Sequence, residues 1–115
     1  MSLRDNLRKI TVGSKNEYKT LEMDYEGEKV VFKQPSLRQR KDLIERSVIN
    51  KEVDGVALQA WSVIYLTYDT EGNRVFDDAD FDTFMNKPSG SFVDVFAEKA
   101  MSLLGNTETA VEEEN

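Results

Sequence analysis

Tyr18-Lys19-Thr20-Leu21-Glu22-Met23-Asp24-Tyr25-Glu26-Gly27-Glu28-Lys29-Val30-Val31-Phe32-Lys33 is the stretch that decides the fold. Leu21, Met23 and Tyr25 alternate with Thr20, Glu22 and Asp24. Beyond Gly27, Val30 and Phe32 alternate with Lys29, Val31 and Lys33. A period of two sends alternate side chains to opposite faces of an extended chain. The two runs flank Glu26-Gly27, which predicts a β-hairpin with one apolar face. An isolated hairpin is marginal in water, so that face must pack against something else.

The downstream sequence supplies helices for it. Pro35 ends the second strand, and Ser36-Leu37-Arg38-Gln39 matches a capping box, with Ser36 as N-cap and Gln39 reaching back. Leu37, Arg40, Leu43, Ile44, Ser47 and Val48 then recur at helical spacing, which predicts a helix from Leu37 to about Ile49. Asp54 is placed to cap the next helix. There Val56, Ala57, Ala60, Trp61, Ile64, Tyr65 and Tyr68 form a wide apolar stripe. Asp69 to Asn73 reads as a turn, and Arg74-Val75-Phe76 as a short extended piece. Asp77-Asp78-Ala79-Asp80 puts acids where they complement a helix dipole, and Phe81, Phe84 and Met85 give that short helix an inward face. After Lys87-Pro88, Ser89 or Ser91 caps a last helix whose inward residues are Phe92, Val93, Phe96, Ala97, Ala100, Met101 and Leu104, with Gly105 to end it.

The expected fold is therefore α+β, a hairpin packed on a mainly helical domain of about four helices. Residues 18–105 are expected to form the single domain. Leu3, Leu7 and Ile10 share one stripe, so residues 1–17 read as a flexible or short helical N-terminus. Residues 106–115, polar and acidic, read as a disordered tail.

Composition removes whole classes of chemistry. The chain of 115 residues has no Cys and no His. Disulfides, thiolate nucleophiles, Ser-His relays and thiolate or imidazole metal sites are excluded. No glycine-rich phosphate loop exists, and Ser89-Gly90-Ser91 lacks the Lys of a P-loop. No apolar run approaches the roughly 20 residues of a membrane span, and the first residues have no signal-peptide core. A soluble, intracellular protein is expected.

The net charge is −7, unevenly placed. Residues 1–50 carry 11 basic and 8 acidic side chains, and residues 51–115 carry 4 and 14. Such a chain lacks the basic footprint that supplies nucleic-acid affinity.

The acids between Asp69 and Asp82 invite a metal reading. With Gly72 as the sixth position of an EF-hand loop, Thr67 falls first and Asp78 twelfth, so the first acid and the last Glu are both missing. Turn and cap chemistry accounts for Asp69, Asp77 and Asp78 without a ligand. Asp80 and Asp82, two apart on a short helix, point to different faces and do not make a paired-carboxylate site. No catalytic residue, cofactor or metal is expected, and the protein reads as a non-enzyme.

Aromatic side chains concentrate in the second half, and most must be core. Three short helices do not easily hide all of them, and Tyr and Trp are favoured at binding hot spots. Tyr65 and Tyr68 are the better candidates. Phe76, the basic Arg38 and Arg40, and the tail acids Glu112, Glu113 and Glu114 complete the candidate partner-binding residues.

The order of features resembles the tail assembly chaperones of long-tailed, non-contractile (siphovirus-type) bacteriophages. A basic capped helix is followed by a Trp-bearing helix ending Leu66-Thr67-Tyr68-Asp69. Then come a turn with Gly72, the pair Val75-Phe76, the acidic cap 77–80, and a last helix ending Leu103-Leu104-Gly105-Asn106 before an acidic tail. The resemblance covers about residues 30–115. It implies a chaperone, absent from the mature tail, that binds the tape measure protein and tail tube subunits in the host cell cytoplasm. No small-molecule substrate, membrane or nucleic acid is expected as a partner. The basic and acidic halves would suit head-to-tail self-association. The alternative is a small phage or prophage regulatory or adaptor protein that binds a host factor.

Overall fold

The computed structural model describes residues 2–11 and 17–105. The expected acidic tail, with Glu112, Glu113 and Glu114, lies outside the described residues. Among those described, five α-helices and a small antiparallel sheet make a mixed α+β fold with an N-terminal hairpin.

Helix α1 spans Leu3–Thr11, strand β1 Thr20–Tyr25 and strand β2 Glu28–Lys33. The hairpin register follows the alternation: Leu21 faces Phe32, Met23 faces Val30 and Tyr25 faces Glu28. Glu26 and Gly27 form the two-residue turn, with φ of 50° and 84°. Positive φ at both positions gives the primed turn whose twist matches the strands, and Gly27 adopts it without a Cβ penalty. Phe32 is completely buried, while Leu21, Met23 and Tyr25 are half-buried against the core. The opposite face carries the Lys29–Glu22 ion pair at 3.9 Å.

Helix α2 spans Leu37–Arg46. Its capping box is formed: the Gln39 N–H donates to Ser36 Oγ at 3.1 Å, and the Ser36 N–H donates to Gln39 Oε1 at 3.1 Å. The helix does not reach Ile49 as its spacing predicts. The Ser47 hydroxyl turns back to donate to the Leu43 carbonyl at 2.7 Å. Val48–Ile49 (β3) and Glu52–Val53 (β4) then pair as a second, very short hairpin. Asn50 and Lys51 make its turn with φ of 53° and 69°. Leu37, placed on the apolar spacing, is 75% exposed.

Helix α3 spans Gly55–Leu66, and the Ala57 N–H donates to its N-cap Asp54 at 2.8 Å. It is not the one-faced helix that the stripe suggests. From Ala57 to Leu66 every residue but Gln59 is buried, because α2, a short helix α4 (Phe81–Met85) and α5 (Phe92–Ser102) all pack around it. A helix surrounded on all sides is apolar all round, which a stripe analysis cannot separate from a wide face. Its first turn is the exception: Val56 is 57% exposed, not inward.

The helix also stops before Tyr68. Thr67–Tyr68 turns extended as β5 and pairs antiparallel with β2, Phe32 facing Thr67 and Val31 facing Tyr68. The sheet thus has three strands in the order β1-β2-β5. Asp78–Asp80 forms a 3₁₀ turn that leads into α4. In α4, Phe84 is buried but Met85 is 36% exposed, again outside its expected inward face.

Aromatic rings bind the layers together. Phe96 of α5 meets Tyr25 at 5.1 Å, Phe32 at 5.5 Å and Phe92 at 5.4 Å, all edge to face. Phe84 continues the chain, meeting Phe92 at 5.3 Å and Phe76 at 4.8 Å. Each such pair adds about 0.5–1.5 kcal/mol beyond area burial. No described helix is long and apolar enough to cross a membrane.

Candidate partner-binding surface

The sequence-predicted site residues do not gather at one place. Tyr65 is only 7% exposed. Its hydroxyl donates to Asp42, and its ring lies between the guanidinium groups of Arg74, 5.0 Å from the centroid, and Arg46, 5.8 Å away. Burial and the bond to Asp42 push its phenol up to about 12. Trp61 continues this cluster, stacking on Phe81 at 4.5 Å with Arg46 over its other side at 4.9 Å.

Arg46 bonds Asp42 at 3.4 Å and Asp78 at 2.7 Å. Desolvation, the largest single influence, works against its charge, but the bond to Asp78 together with the charges of Tyr65, Asp78 and Asp42 raises the pKa above the ordinary arginine value. Arg46 thereby ties α2 to the turn before α4.

Tyr68 lies half-buried on β5, 5.8 Å from the Lys33 ammonium. Phe76 sits half-buried against Phe84 and Phe92. Arg38 is exposed. Arg40 donates to the Leu104 carbonyl at 3.4 Å, closing the end of α5. It also lines an open concavity of about 490 Å³ with Tyr18, Leu37, Leu103 and Leu104.

Three acids of the turn region, Asp69, Asp77 and Asp80, accept from backbone N–H groups. Asp69 accepts from the N–H groups of Asn73 and Glu71, both at 2.9 Å, which hold its carboxyl below the usual range. Asp77 accepts from the Ala79 N–H at 2.9 Å, and its own N–H donates to Asp80 at 2.9 Å. Asp78 is the carboxylate that Arg46 holds. Among the described residues no three acidic side chains converge to hold a metal ion.

What the stripe analysis missed is a run of exposed aliphatic side chains. Val48, Ile49, Val53 and Val56 are 43%, 48%, 49% and 57% exposed. They fall within residues 48–56, where the β3–β4 hairpin runs into the first turn of α3. Val56 and Met85 then border a groove of about 290 Å³ whose floor includes Ala60, Phe84 and Val93. Its polar rim includes Gln59, Lys87, Ser89 and Asp94. An apolar surface with a polar rim is the usual form of a protein-binding site. The readable signal was local: Asn50-Lys51 between Val48-Ile49 and Glu52-Val53 forms a hairpin too short to cover its own side chains.

No family model matches the chain. No curated protein matches it either. Among solved structures, the bacteriophage HK97 tail assembly chaperone aligns over 88% of this chain and 99% of that one, with a TM-score of 0.49 and 18% identity.

Proposed function

We propose that this chain is a binding protein of the phage tail assembly chaperone type, which holds the tape measure protein and tail tube subunits during tail assembly. The observation that carries the reading is the exposure of the aliphatic side chains Val48, Ile49, Val53, Val56 and Met85 on a chain of net charge −7. A chaperone that keeps a long client soluble needs aliphatic surface tolerant of many sequences and a charge excess that repels other complexes. The ordered sequence features from the basic capped helix to 103–106 supply the family expectation.

In this reading the client lays apolar side chains over the short hairpin and into the groove beside Val56. The aromatic core behind it keeps the surface rigid, so little ordering entropy is lost on binding. Co-expression with a tape measure protein tests the proposal. The expected result is a soluble client that co-elutes with this chain. A client that stays insoluble, with no co-eluting complex, contradicts it.

A further inference from the structure

The three-stranded sheet has one closed edge and one open edge. Beyond β5 the chain returns on itself: Arg74 bridges to Tyr68, and the Val75 N–H donates to the Thr67 carbonyl at 3.1 Å. Strand β1, at the other edge, pairs with β2 alone among the described residues. The Gln34 N–H donates to the Lys19 carbonyl at 2.8 Å, and the Lys19 N–H donates to Gln34 Oε1 at 3.1 Å. The Lys19 backbone thus faces β2, and alternation along an antiparallel ladder turns Leu21, Met23 and Tyr25 the same way. The N–H and C=O groups of Thr20, Glu22 and Asp24 therefore point outward, along the open edge. Strand β1 has six residues, an unbroken register and no Pro, so nothing in its backbone blocks a further strand. Its core-facing side chains Leu21, Met23 and Tyr25 are only half-buried, whereas Phe32 of β2 is fully buried, so the apolar layer stops short at this edge. On its exposed face stand Glu22 and Asp24. Lys29 meets Glu22 at 3.9 Å, but in a solvent-exposed pair of little strength.

We propose that β1 is a strand-addition site that takes an extended peptide segment of alternating basic and apolar side chains. The segment's backbone pairs with Thr20, Glu22 and Asp24. Its basic residues stand opposite Glu22 and Asp24, and its apolar residues extend the half-covered layer of Leu21, Met23 and Tyr25. Neighbouring strands lie about 4.8 Å apart, so the acids of β1 are direct neighbours of the added chain, while Lys29 and Lys33 on β2 are two strand spacings away. A second copy does not fit this edge. Full overlap of β1 on β1, antiparallel or parallel, sets Glu22 of one copy against Glu22 or Asp24 of the other, and like charges directly opposite are destabilising. The edge shares no residue with the aliphatic run at 48–56, and the proposal does not rest on the proposed function.

The probe is a capped peptide of about eight residues alternating Lys with Val, long enough to cover β1. Hydrogen exchange followed by NMR on the full chain reads where it binds. Saturating peptide should slow the Thr20, Glu22 and Asp24 amides at least about tenfold and leave those of Leu21 and Met23, already bonded to β2, little changed. A Glu22→Lys/Asp24→Lys variant, altered only at exposed positions, should bind this peptide at least about tenfold more weakly. It should also bind a Glu–Val peptide more tightly than the parent does, although its net charge is still negative. The Lys–Val peptide N-methylated on its edge-facing amides should bind neither form. No binding of the Lys–Val peptide, binding that leaves the three amides unprotected, equal binding of the N-methylated peptide, or no reversal of preference in the variant would each overturn the site. Protection of the same amides without peptide would show the edge already covered, by a second copy if sedimentation gives a dimer, and would also overturn it.

Discussion

Helix α3 and the β3–β4 hairpin beside it are both apolar, yet they take opposite fates. From Ala57 to Leu66 the helix is almost wholly buried, while Val48, Ile49, Val53 and Val56 stand between 43% and 57% exposed. The buried region is rich in rings that lock to one another: Trp61 stacks on Phe81, and the Phe96–Phe92–Phe84–Phe76 series crosses from α5 to the segment after β5. The exposed region is aliphatic and β-branched and contributes no ring to that series. Apolar character alone therefore does not mark a core in this chain. Position relative to the aromatic framework does.

The largest expected effect comes from cutting that framework. Replacing Phe96 with Ala removes ring contacts to Tyr25, Phe32 and Phe92 at once. Chemical unfolding should show a loss of about 3–5 kcal/mol. A loss below about 1 kcal/mol would mean that the rings do not hold sheet and helices together.

Tyr65→Phe gives a smaller effect and places Tyr65 in one region or the other. It keeps the ring but removes the bond to Asp42, at a cost of about 1 kcal/mol. It also changes the response to alkali. The folded phenol titrates near 12 and the unfolded one near 10, so the unfolded chain loses its proton first as pH rises. The stabilisation is complete below pH 10 and is lost between about 10 and 12. The parent's advantage over Tyr65→Phe should therefore shrink across that window, as urea midpoints taken at several pH values would show. A constant difference would place the phenol in solvent.

The smallest effect is expected at Thr67. Its hydroxyl, like that of Ser62, is buried without a partner among the described residues. Thr67→Val keeps the β-branched shape on β5 and removes the unpaired group. Thermal unfolding should show no loss, or a gain of up to about 1 kcal/mol. A clear loss would reveal a partner for the hydroxyl.

Much of the fold was legible in the sequence because its signals are local. The hairpin follows from period-two alternation around Glu26-Gly27, and the caps at Ser36, Asp54 and Asp77 follow from side chains that bond backbone N–H groups within three residues. The short pairings were not legible. Thr67–Tyr68 is extended because β2 is there to receive it, and Val48–Ile49 leaves the helix only to meet Glu52–Val53. Neither two-residue strand carries enough alternation to be seen. Spacing also set Val56 and Met85 inward on their helices, and nothing in a helical period reports that no neighbouring element arrives to cover them. The exposure of these two side chains was missed for that reason. The search for exposed rings led to Tyr65, which the structure holds between two arginines.

The contrast between the two regions is tested most directly by an Ile49→Ser/Val56→Ser double variant, measured for stability and for recovery of co-expressed tape measure protein. The account predicts an unfolding free energy within about 1 kcal/mol of the parent, because both side chains are already about half in water. It predicts recovery of soluble client reduced at least about tenfold, since two apolar contacts of the surface are lost. Unchanged recovery, or a stability loss as large as that of a core ring, would contradict it.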